Sequence, residues 1–279
     1  MPSIKELIDE GSALLAQSGV DSPRFDATQL LLHCLGVDSP AELFLAPPPS
    51  PEQQARYCAL LRRCAGREPL QYLLGFWEFY GRRFHVREGV LIPRPDTELL
   101  IDLSLQFFPP GAAPQILDLC SGSGAIAVTL ALERPDATVD ALELSTDALE
   151  VLRENIALYG APVGVIGDDV ITYHPSHPYD MIVSNPPYIS GQEYALLQPE
   201  VLCEPRMALL APQDGMYFYE AIIRRYRECL KPGGRLLLEA GSTQAQRIAA
   251  LLWQNGYEEI EIHRDLAKIE RAVCAIWNS

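Results

Sequence analysis

The stretch "QILDLCSGSGAIAVTLALERP", residues 115–135, decides the fold, because a turn rich in Gly joins an apolar strand to an apolar helix. Gly permits a sharp backbone turn and leaves room for a ligand to approach the backbone closely. The spacing Gly122-x-Gly124-x-x-Ala127 matches a dinucleotide-binding fingerprint, in which the ligand lies at the start of the helix. A tight turn that holds no ligand is the alternative interpretation of these residues.

Strand-like and helix-like segments alternate around this stretch, from about residue 112 to the end of the chain. The predicted strands are "QILDLC", "ATVDAL", "VGVIG", "YDMIVS", "RLLLEAG", "EEIEIHRD" and "RAVCAIW". The predicted helices are "GAIAVTLALERP", "STDALEVLRENIALYG", "YFYEAIIRRYRECLKPGG" and "TQAQRIAALLWQNGY". This alternation predicts an α/β fold with parallel strands and helices on both faces of the sheet. Ligands of such sheets bind beyond the carboxyl ends of the strands, near the switch in strand order.

The N-terminal part of the chain has a different pattern, with helical spacing of apolar residues and no good strand. The stretches "SPRFDATQLLLHCLG" and "PSPEQQARYCALLRRCAG" each have a Ser-Pro start and a Gly end, which are signals of helix boundaries. We therefore predict a small helical bundle over 1–75. Aromatic residues alternate around Gly81, which indicates a hairpin linker over 76–95, and the α/β domain then occupies 96–279.

Composition and charge narrow the classes of function. The chain has 279 residues, of which 48% are hydrophobic, and a formal net charge of −15, which opposes direct binding to nucleic acid. No apolar run is long enough to span a bilayer, and the first residues lack the apolar core of a signal peptide. The seven Cys are scattered without a C-x-x-C pair, so we predict no disulfide framework and no metal site. We expect a monomeric cytosolic protein without membrane contact.

Acidic residues follow the first three predicted strands, where a nucleoside cofactor would bind. Glu143 in "DALELS" can accept hydrogen bonds from both hydroxyls of an adenosine ribose. A nicotinamide dehydrogenase and an S-adenosylmethionine methyltransferase both need that contact. S-adenosylmethionine carries no phosphate, so the glycine-rich loop that binds it can hold an acid such as Asp118. Asp168 and Asp169 in "VIGDDV" are placed to touch the adenine amine, although a loop of solvated acids is the alternative.

The stretch "SNPPYI" follows the fourth strand and favours methyl transfer. The side-chain oxygen of Asn185 and the backbone carbonyl of Pro186 can accept the two hydrogens of a planar NH2 group. Pro186 and Pro187 fix the backbone and so place these acceptors in advance, while the ring of Tyr188 can cover a flat amide. The motif alone leaves adenine, cytosine and glutamine open as substrates. A plain turn after the strand is the structural alternative.

Over nearly its whole length the sequence resembles the bacterial protein-(glutamine-N5) methyltransferases that modify peptide chain release factors. The segments that carry the resemblance are "SPRFDATQLLL", "REPLQYLLGFWEFYGRRFHV", "LIPRPDTELL", "SNPPYI", "EPRMAL" and "LKPGGRLLLEAG". The resemblance implies a Rossmann-like class I methyltransferase domain, S-adenosylmethionine as cofactor, and N5-methylglutamine in the release factors' Gly-Gly-Gln loop as product. It also implies that the N-terminal helical domain takes part in docking the release factor.

The resemblance assigns roles to individual residues of this chain. The glycine-rich loop of the family corresponds to Cys120–Gly124, its ribose acid to Glu143 and its substrate motif to Asn185–Tyr188. Together with the acids that follow the strands, this gives the predicted cofactor-binding residues Asp118, Cys120, Ser121, Gly122, Ser123, Gly124, Glu143, Asp168, Asp169 and Asn185. Those implied to bind substrate are Asn185, Pro186, Pro187 and Tyr188, and catalysis falls to Asn185, Pro186 and Tyr188. Cys120 stands where the family usually has Gly, and the sequence accommodates it only if its φ angle is negative. Asp169 stands where the family often has a bulky apolar residue.

Three other functions remain as alternatives to release-factor methylation. A glutamine methyltransferase acting on a ribosomal protein would share nearly every motif. A DNA adenine methyltransferase would need a basic groove and a target-recognition region, and the sequence indicates neither. A binding module without enzymatic activity would not need the intact Asn185-Pro-Pro-Tyr188 and Glu143.

Overall fold

Residues 2–278 are described by a computed structural model, in which the chain divides into two units. One unit is Met1–Phe76 with Gln198–Cys203, and the other is Trp77–Leu197 with Glu204–Ser279. The sequence placed the segment Gln198–Cys203 in the α/β domain, whereas the structure groups it with the helical unit. An ion pair between Arg67 and Glu200 at 2.5 Å holds it there, and Gln198 Nε2 donates to Asp21 at 2.6 Å. Such long-range contacts leave no local pattern in the sequence.

The smaller unit is helical, as the apolar spacing predicts. Its helices in chain order are α1 (Ile4–Gln17), α2 (Pro23–Leu35), α3 (Pro40–Leu45), α4 (Pro51–Ala65) and α5 (Leu70–Leu74). Ser3 and Ser50 each form a capping box, which satisfies backbone N–H groups at the starts of α1 and α4. The sequence did not predict α3 and α5, which are too short to show a helical period.

The larger unit begins with a two-stranded hairpin and continues with a seven-stranded sheet. Its strands are β1 (Phe76–Phe79), β2 (Arg82–His85), β3 (Gln115–Leu119), β4 (Thr138–Glu143), β5 (Val163–Gly167), β6 (Tyr179–Ser184), β7 (Leu230–Glu239), β8 (Glu258–Arg264) and β9 (Glu270–Trp277). The order in the sheet is β5-β4-β3-β6-β7-β9-β8, and only β9 pairs antiparallel with its neighbours. From β3 the chain runs to β4 on one side and later to β6 on the other, so the strand order switches between β3 and β6.

Helices connect the strands and cover both faces of the sheet. They are α6 (Glu98–Phe107), α7 (Ala125–Glu133), α8 (Thr146–Tyr159), α9 (Gly191–Tyr194), α10 (Pro199–Leu202), α11 (Arg206–Leu209), α12 (Tyr217–Tyr226) and α13 (Ala245–Gln254), of which α10 belongs to the smaller unit. Successive residues of β3 point to opposite faces, so Ile116 packs with α6 and α7 while Leu117 packs with α12 and α13. Two apolar cores therefore pack on opposite faces of the sheet, and the cavity described below opens at the carboxyl ends of its strands.

The end of α12 differs from the sequence prediction. The stretch "YFYEAIIRRYRECLKPGG" indicates a helix that Gly ends, but α12 stops at Tyr226 and β7 already starts at Leu230. The residues Lys231–Gly234 form an irregularity in the pairing of β6 with β7, where Leu230 faces Tyr179 and Arg235 faces Met181. Pro232 lacks the backbone N–H that a helix interior requires, which explains why the helix does not extend to the glycines.

No helix within residues 2–278 has the length and apolar character needed to cross a membrane.

Candidate active site

A cavity opens beyond the carboxyl ends of β3, β4, β5 and β6. Its position is the switch in strand order, where ligands of open α/β sheets bind. Among the sequence-predicted site residues, those lining it are Cys120, Gly122, Glu143, Asp168, Asp169, Asn185 and Pro187. The predicted residues that do not line it are Asp118, Ser121, Ser123, Gly124, Pro186 and Tyr188.

The loop after β3 turns through left-handed backbone conformations. The φ angles are +59° at Cys120, +56° at Gly122 and +81° at Gly124. A side chain at Gly124 would meet Leu152 at 2.3 Å, so this position needs Gly for space as well as for its conformation. The sequence analysis expected a negative φ at Cys120, because a residue other than Gly stands there, but the φ angle is positive. Cys120 therefore carries backbone strain that Gly at the same place would not.

Hydrogen bonds within the loop fix its shape. Ser121 Oγ donates to the Asp118 carbonyl at 3.0 Å, and the Gly124 N–H donates to the Ser121 carbonyl at 2.8 Å. The Ser123 carbonyl accepts from Nδ2 of Asn155, a fully buried residue of α8 that also bonds the backbone of His85. Asn155 thus ties the loop to the hairpin, a role that the sequence did not indicate.

Asp118 lies beneath the loop rather than at the wall of the cavity. It is fully buried, and neither carboxyl oxygen has a hydrogen-bond partner among the described residues. Burial raises the pKa of Asp118 to about 7, because a carboxylate is poorly solvated in the interior. The Ser121 hydroxyl and the Ala127 N–H act in the opposite direction, toward a lower pKa of Asp118, but burial outweighs them.

Glu143 ends β4 at the wall of the cavity. Its Oε2 accepts from the Gly122 N–H at 2.8 Å, and its Oε1 accepts from the N–H groups of Leu144 and Ser145, both at 2.8 Å. The carboxylate therefore organises the glycine turn and the start of α8 at once. Two carboxylate oxygens offer about four lone-pair positions, so the side chain keeps capacity for a ligand hydroxyl.

Asp168 and Asp169 follow β5 and both line the cavity. Asp168 Oδ1 accepts from the Asp169 N–H at 2.7 Å, and Asp169 Oδ1 accepts from the Ile171 N–H at 2.8 Å. One oxygen of each side chain is thus used to hold the turn after the strand. The predicted adenine contact of Asp169 stays a prediction.

Asn185 follows β6 directly and faces the cavity. Its Nδ2 donates to Thr97 Oγ1 at 3.1 Å, so the amide is held from its nitrogen side. Pro186 and Pro187 are buried, which keeps the segment rigid. The preceding Ser184 donates through Oγ to the Leu119 carbonyl at 2.7 Å and so joins the ends of β6 and β3.

Thr97 and Glu239 support this motif, although the sequence analysis assigned them no role. Thr97 Oγ1 donates to Glu239 Oε2 at 2.6 Å, and the Tyr188 hydroxyl donates to Glu239 Oε1 at 3.4 Å. Burial raises the pKa of Glu239 to about 7. The sequence contained one signal, a Glu at the end of the otherwise apolar strand "RLLLEAG". The predicted stacking of Tyr188 on a substrate amide stays a prediction, since its hydroxyl is directed at Glu239.

Glu204 is a second carboxylate that the sequence analysis did not assign. It is buried, accepts from the Ile92 N–H at 3.0 Å and forms an ion pair with Arg94. It therefore fixes the segment "LIPRP", whose Leu91 lines the cavity. The remaining lining residues are mostly small or apolar, and no sequence pattern distinguished them: Gly89, Val90, Leu142, Leu144, Ser145, Ala148, Val170, Pro205, Met207, Ala208 and Phe218.

No group of three or more His, Cys, Asp or Glu side chains among residues 2–278 is arranged to hold a metal ion.

Comparisons with known proteins identify the class of the larger unit. Residues 97–213 match the family described as the methyltransferase small domain. The crystal structure of a methyltransferase from Pyrococcus furiosus has the same fold, with a TM-score of 0.55 and 17% identity, covering 72% of this chain and 91% of that one. Together with the strand order and the cavity at its switch, these matches define a Rossmann-like class I methyltransferase domain, as the sequence predicted.

The matches over the whole chain are more specific. Residues 6–75 match the family described as the PrmC N-terminal domain. The release factor glutamine methyltransferase of Bordetella pertussis is 42% identical over 261 residues, which are 92% of this chain and 96% of the relative. The enzyme of the same name from Geobacter sulfurreducens is 38% identical over 274 residues, 97% of this chain and 95% of the relative. The chain belongs to the release factor glutamine methyltransferase family.

Proposed function

We propose that this chain transfers a methyl group from S-adenosylmethionine to the side-chain amide nitrogen of the glutamine in the Gly-Gly-Gln motif of peptide chain release factors. The observation that carries the proposal is the placement of Asn185 at the cavity, held through its Nδ2 by Thr97. This contact leaves the Asn185 oxygen as the group that meets a substrate NH2. Family membership supports glutamine as the amide and the release factor as the protein that carries it.

The lining of the cavity fits S-adenosylmethionine, which supplies a methyl group on a sulfonium ion. Glu143 would accept the ribose hydroxyls, and Asp168 and Asp169 would face the adenine. The turn from Cys120 to Gly124 brings backbone rather than bulky side chains to the cofactor.

Asn185 and the Pro186 carbonyl would bind the two amide hydrogens of the substrate. An amide nitrogen is a weak nucleophile because its lone pair is delocalised, and two fixed acceptors orient the group and favour the charge that develops on it. The buried Pro186 and Pro187 keep both acceptors in place before the substrate arrives. The methylated amide is cationic and acidic, so it loses a proton readily and no dedicated base is required.

The charge of the chain agrees with a protein substrate that has basic surfaces. A net charge of −15 steers such a partner toward the enzyme and repels free nucleic acid. The monomeric state, the cytosolic location and the docking role of the helical unit are predictions of this proposal. A ribosomal protein is the competing substrate, because its glutamine would present the same amide.

The test is incubation of the wild-type chain with isotopically labelled S-adenosylmethionine and either a release factor or a mixture of ribosomal proteins, followed by peptide mass spectrometry. The proposal predicts one labelled methyl group on the glutamine of the Gly-Gly-Gln peptide. Label confined to a ribosomal protein would establish the competing substrate. Label on neither, from a folded chain that binds S-adenosylmethionine, would contradict both.

A further inference from the structure

A chain of hydrogen bonds links the buried Glu239 to Asn185 at the cavity. Glu239 is 1% exposed and Thr97 is 5% exposed, so solvent does not compete for these contacts. The Glu239 Oε2 accepts from the Thr97 hydroxyl at 2.6 Å, and the Thr97 oxygen accepts from Asn185 Nδ2 at 3.1 Å. The partners are far apart in sequence and come from the end of β7, the start of α6 and the end of β6.

The buried Glu239 determines which group donates and which accepts in these hydrogen bonds. An ionised carboxylate only accepts hydrogen bonds, whereas a hydroxyl donates one and can accept others. Glu239 therefore accepts the one hydrogen bond that the Thr97 hydroxyl can donate, which leaves the lone pairs of the Thr97 oxygen free to accept from Asn185. Those lone pairs select the nitrogen of the Asn185 amide, so its oxygen must point away from Thr97.

We propose that Thr97 and Glu239 are positioning residues that fix the orientation of the Asn185 amide, with its oxygen as the acceptor for the substrate NH2. The inference rests on the proposed function for its kinetic consequence, but the hydrogen-bonded chain itself exists without substrate. Neither residue needs to touch the reacting atoms. An amide free to flip would present its NH2 to the substrate NH2 about as readily, and donor would then face donor.

Glu239 also anchors the other end of the motif. The Tyr188 hydroxyl donates to its second oxygen at 3.4 Å, and the Tyr188 carbonyl accepts from Gln244 Nε2 at 2.9 Å. Tyr219 donates to the Glu239 carbonyl at 2.9 Å. The ionised Glu239 carboxylate thereby accepts one hydrogen bond from Thr97, which holds Asn185, and one from Tyr188 at the other end of the motif.

The groups around Glu239 determine when it is ionised. Burial raises its pKa to about 7 and Asp96 adds to this, while the hydrogen bonds from Thr97 and Tyr188 and the charge of Arg271 act in the opposite direction. The measurements that test this inference are made at a pH above that pKa, where the ionised carboxylate accepts hydrogen bonds from both hydroxyls.

The first arm of the test is nuclear magnetic resonance of the full chain labelled with ¹⁵N at Asn. The Asn185 side-chain NH2 signal is assigned by its loss in Asn185→Ala. We expect it to move in Thr97→Val, which removes the hydroxyl with little change of shape, and in Glu239→Gln, and to return toward wild type in Thr97→Ser. The matched control is Ser104→Ala, because Ser104 is a buried residue of α6 whose hydroxyl donates to the Leu100 carbonyl of its own helix. An unmoved signal in Thr97→Val would overturn the inference.

The second arm is a double-mutant cycle on methyl transfer to the release factor. Thr97→Val should lower kcat on the order of 10- to 100-fold, as loss of a hydrogen bond to a charged group does, with KM and cofactor affinity little changed. Thr97→Ser should recover most of the rate. If Thr97 acts through Asn185, Thr97→Val should cost almost nothing further in the Asn185→Ala background.

The outcomes separate this inference from the proposed function. Equal losses from Thr97→Val in both backgrounds, or no loss in either, would overturn the positioning role, provided circular dichroism shows folded variants. A wild-type chain that does not methylate the release factor would contradict the proposed function. The amide signal would in that case still decide whether Thr97 and Glu239 hold Asn185.

Discussion

The Glu143 Oε2 atom lies 2.8 Å from the backbone nitrogen of Gly122, and both residues line the cavity. The contact joins the end of β4 to the glycine turn after β3, so one side chain shapes the loop and presents an acceptor to the ligand. The proposed ribose contact of Glu143 would therefore couple cofactor binding to the order of the glycine turn.

We expect Glu143→Ala to weaken S-adenosylmethionine binding by roughly 1.5–3 kcal/mol, the usual loss for hydrogen bonds to a charged group. Part of the loss comes from the Gly122 N–H, which is left without its acceptor. Isothermal calorimetry measures it, and Glu150→Ala is the control because that carboxylate on α8 is exposed and pairs only with Arg87. Equal affinity in wild type and Glu143→Ala would show that Glu143 does not hold the ribose.

Because Cys120 has a positive φ, we expect Gly to give a more stable protein than Ala at this position, the reverse of the usual order. In a left-handed conformation a Cβ atom costs about 1–2 kcal/mol, so Cys120→Gly should be more stable than Cys120→Ala by about 1 kcal/mol. The control pair is at Cys274, in the interior of β9, where Ala should be the more stable residue by about 0.5–1 kcal/mol. Denaturant titration gives both differences. The same preference at both positions would argue against a left-handed Cys120.

The hairpin should contribute to the core of the larger unit rather than act as a passive linker. Phe84 is fully buried and packs against Phe79 and Tyr159, with ring centroids 6.0 and 5.7 Å apart. Phe84→Ala should lower the free energy of unfolding by about 3–5 kcal/mol. Phe25→Ala, at a residue 49% exposed, should change it by less than about 1 kcal/mol. A small effect at Phe84 would mean that the hairpin can be removed without loss of the fold.

Buried acids make the stability depend on pH. Burial raises the pKa of Asp118 to about 7, so between its ordinary pKa and about 7 the folded state holds more protons than the unfolded state. The free energy of unfolding should therefore fall as pH rises through this window, by up to about 1.4 kcal/mol per pH unit for the group. Asp118→Asn removes the ionisation, and denaturant titrations at several pH values should show a flatter dependence. An unchanged slope would indicate that Asp118 does not titrate in this window.

Local pattern was enough to predict the parts of the molecule that local interactions determine. The strand, glycine turn and helix of residues 115–135 appear as β3, the loop and α7, and the strand before Asn185 appears as β6. The fold class follows from that alternation, because parallel strands need helical connections. Glu143 ends β4 and Asn185 follows β6, and both lie at the cavity because the carboxyl ends of parallel strands are on the same side of the sheet.

The parts that sequence reasoning missed depend on contacts between distant residues. Thr97 and Glu239 are 142 positions apart, and the residues around each of them do not indicate a contact with the other. Glu200 joins the helical unit through Arg67 for the same reason. The left-handed φ of Cys120 was not predictable from residue type, since Cys has no preference for that conformation.

The rate of methyl transfer by Asn185→Ala decides whether Asn185 binds the substrate amide. The measurement is kcat on a release factor, together with S-adenosylmethionine affinity by calorimetry and circular dichroism of the variant. The account predicts near-normal cofactor affinity and a loss of kcat on the order of 10²–10³, as for removal of one preorganised hydrogen-bonding group. Near-normal turnover by a folded Asn185→Ala chain would contradict it, and Asn185-Pro-Pro-Tyr188 would then be only the turn that ends β6.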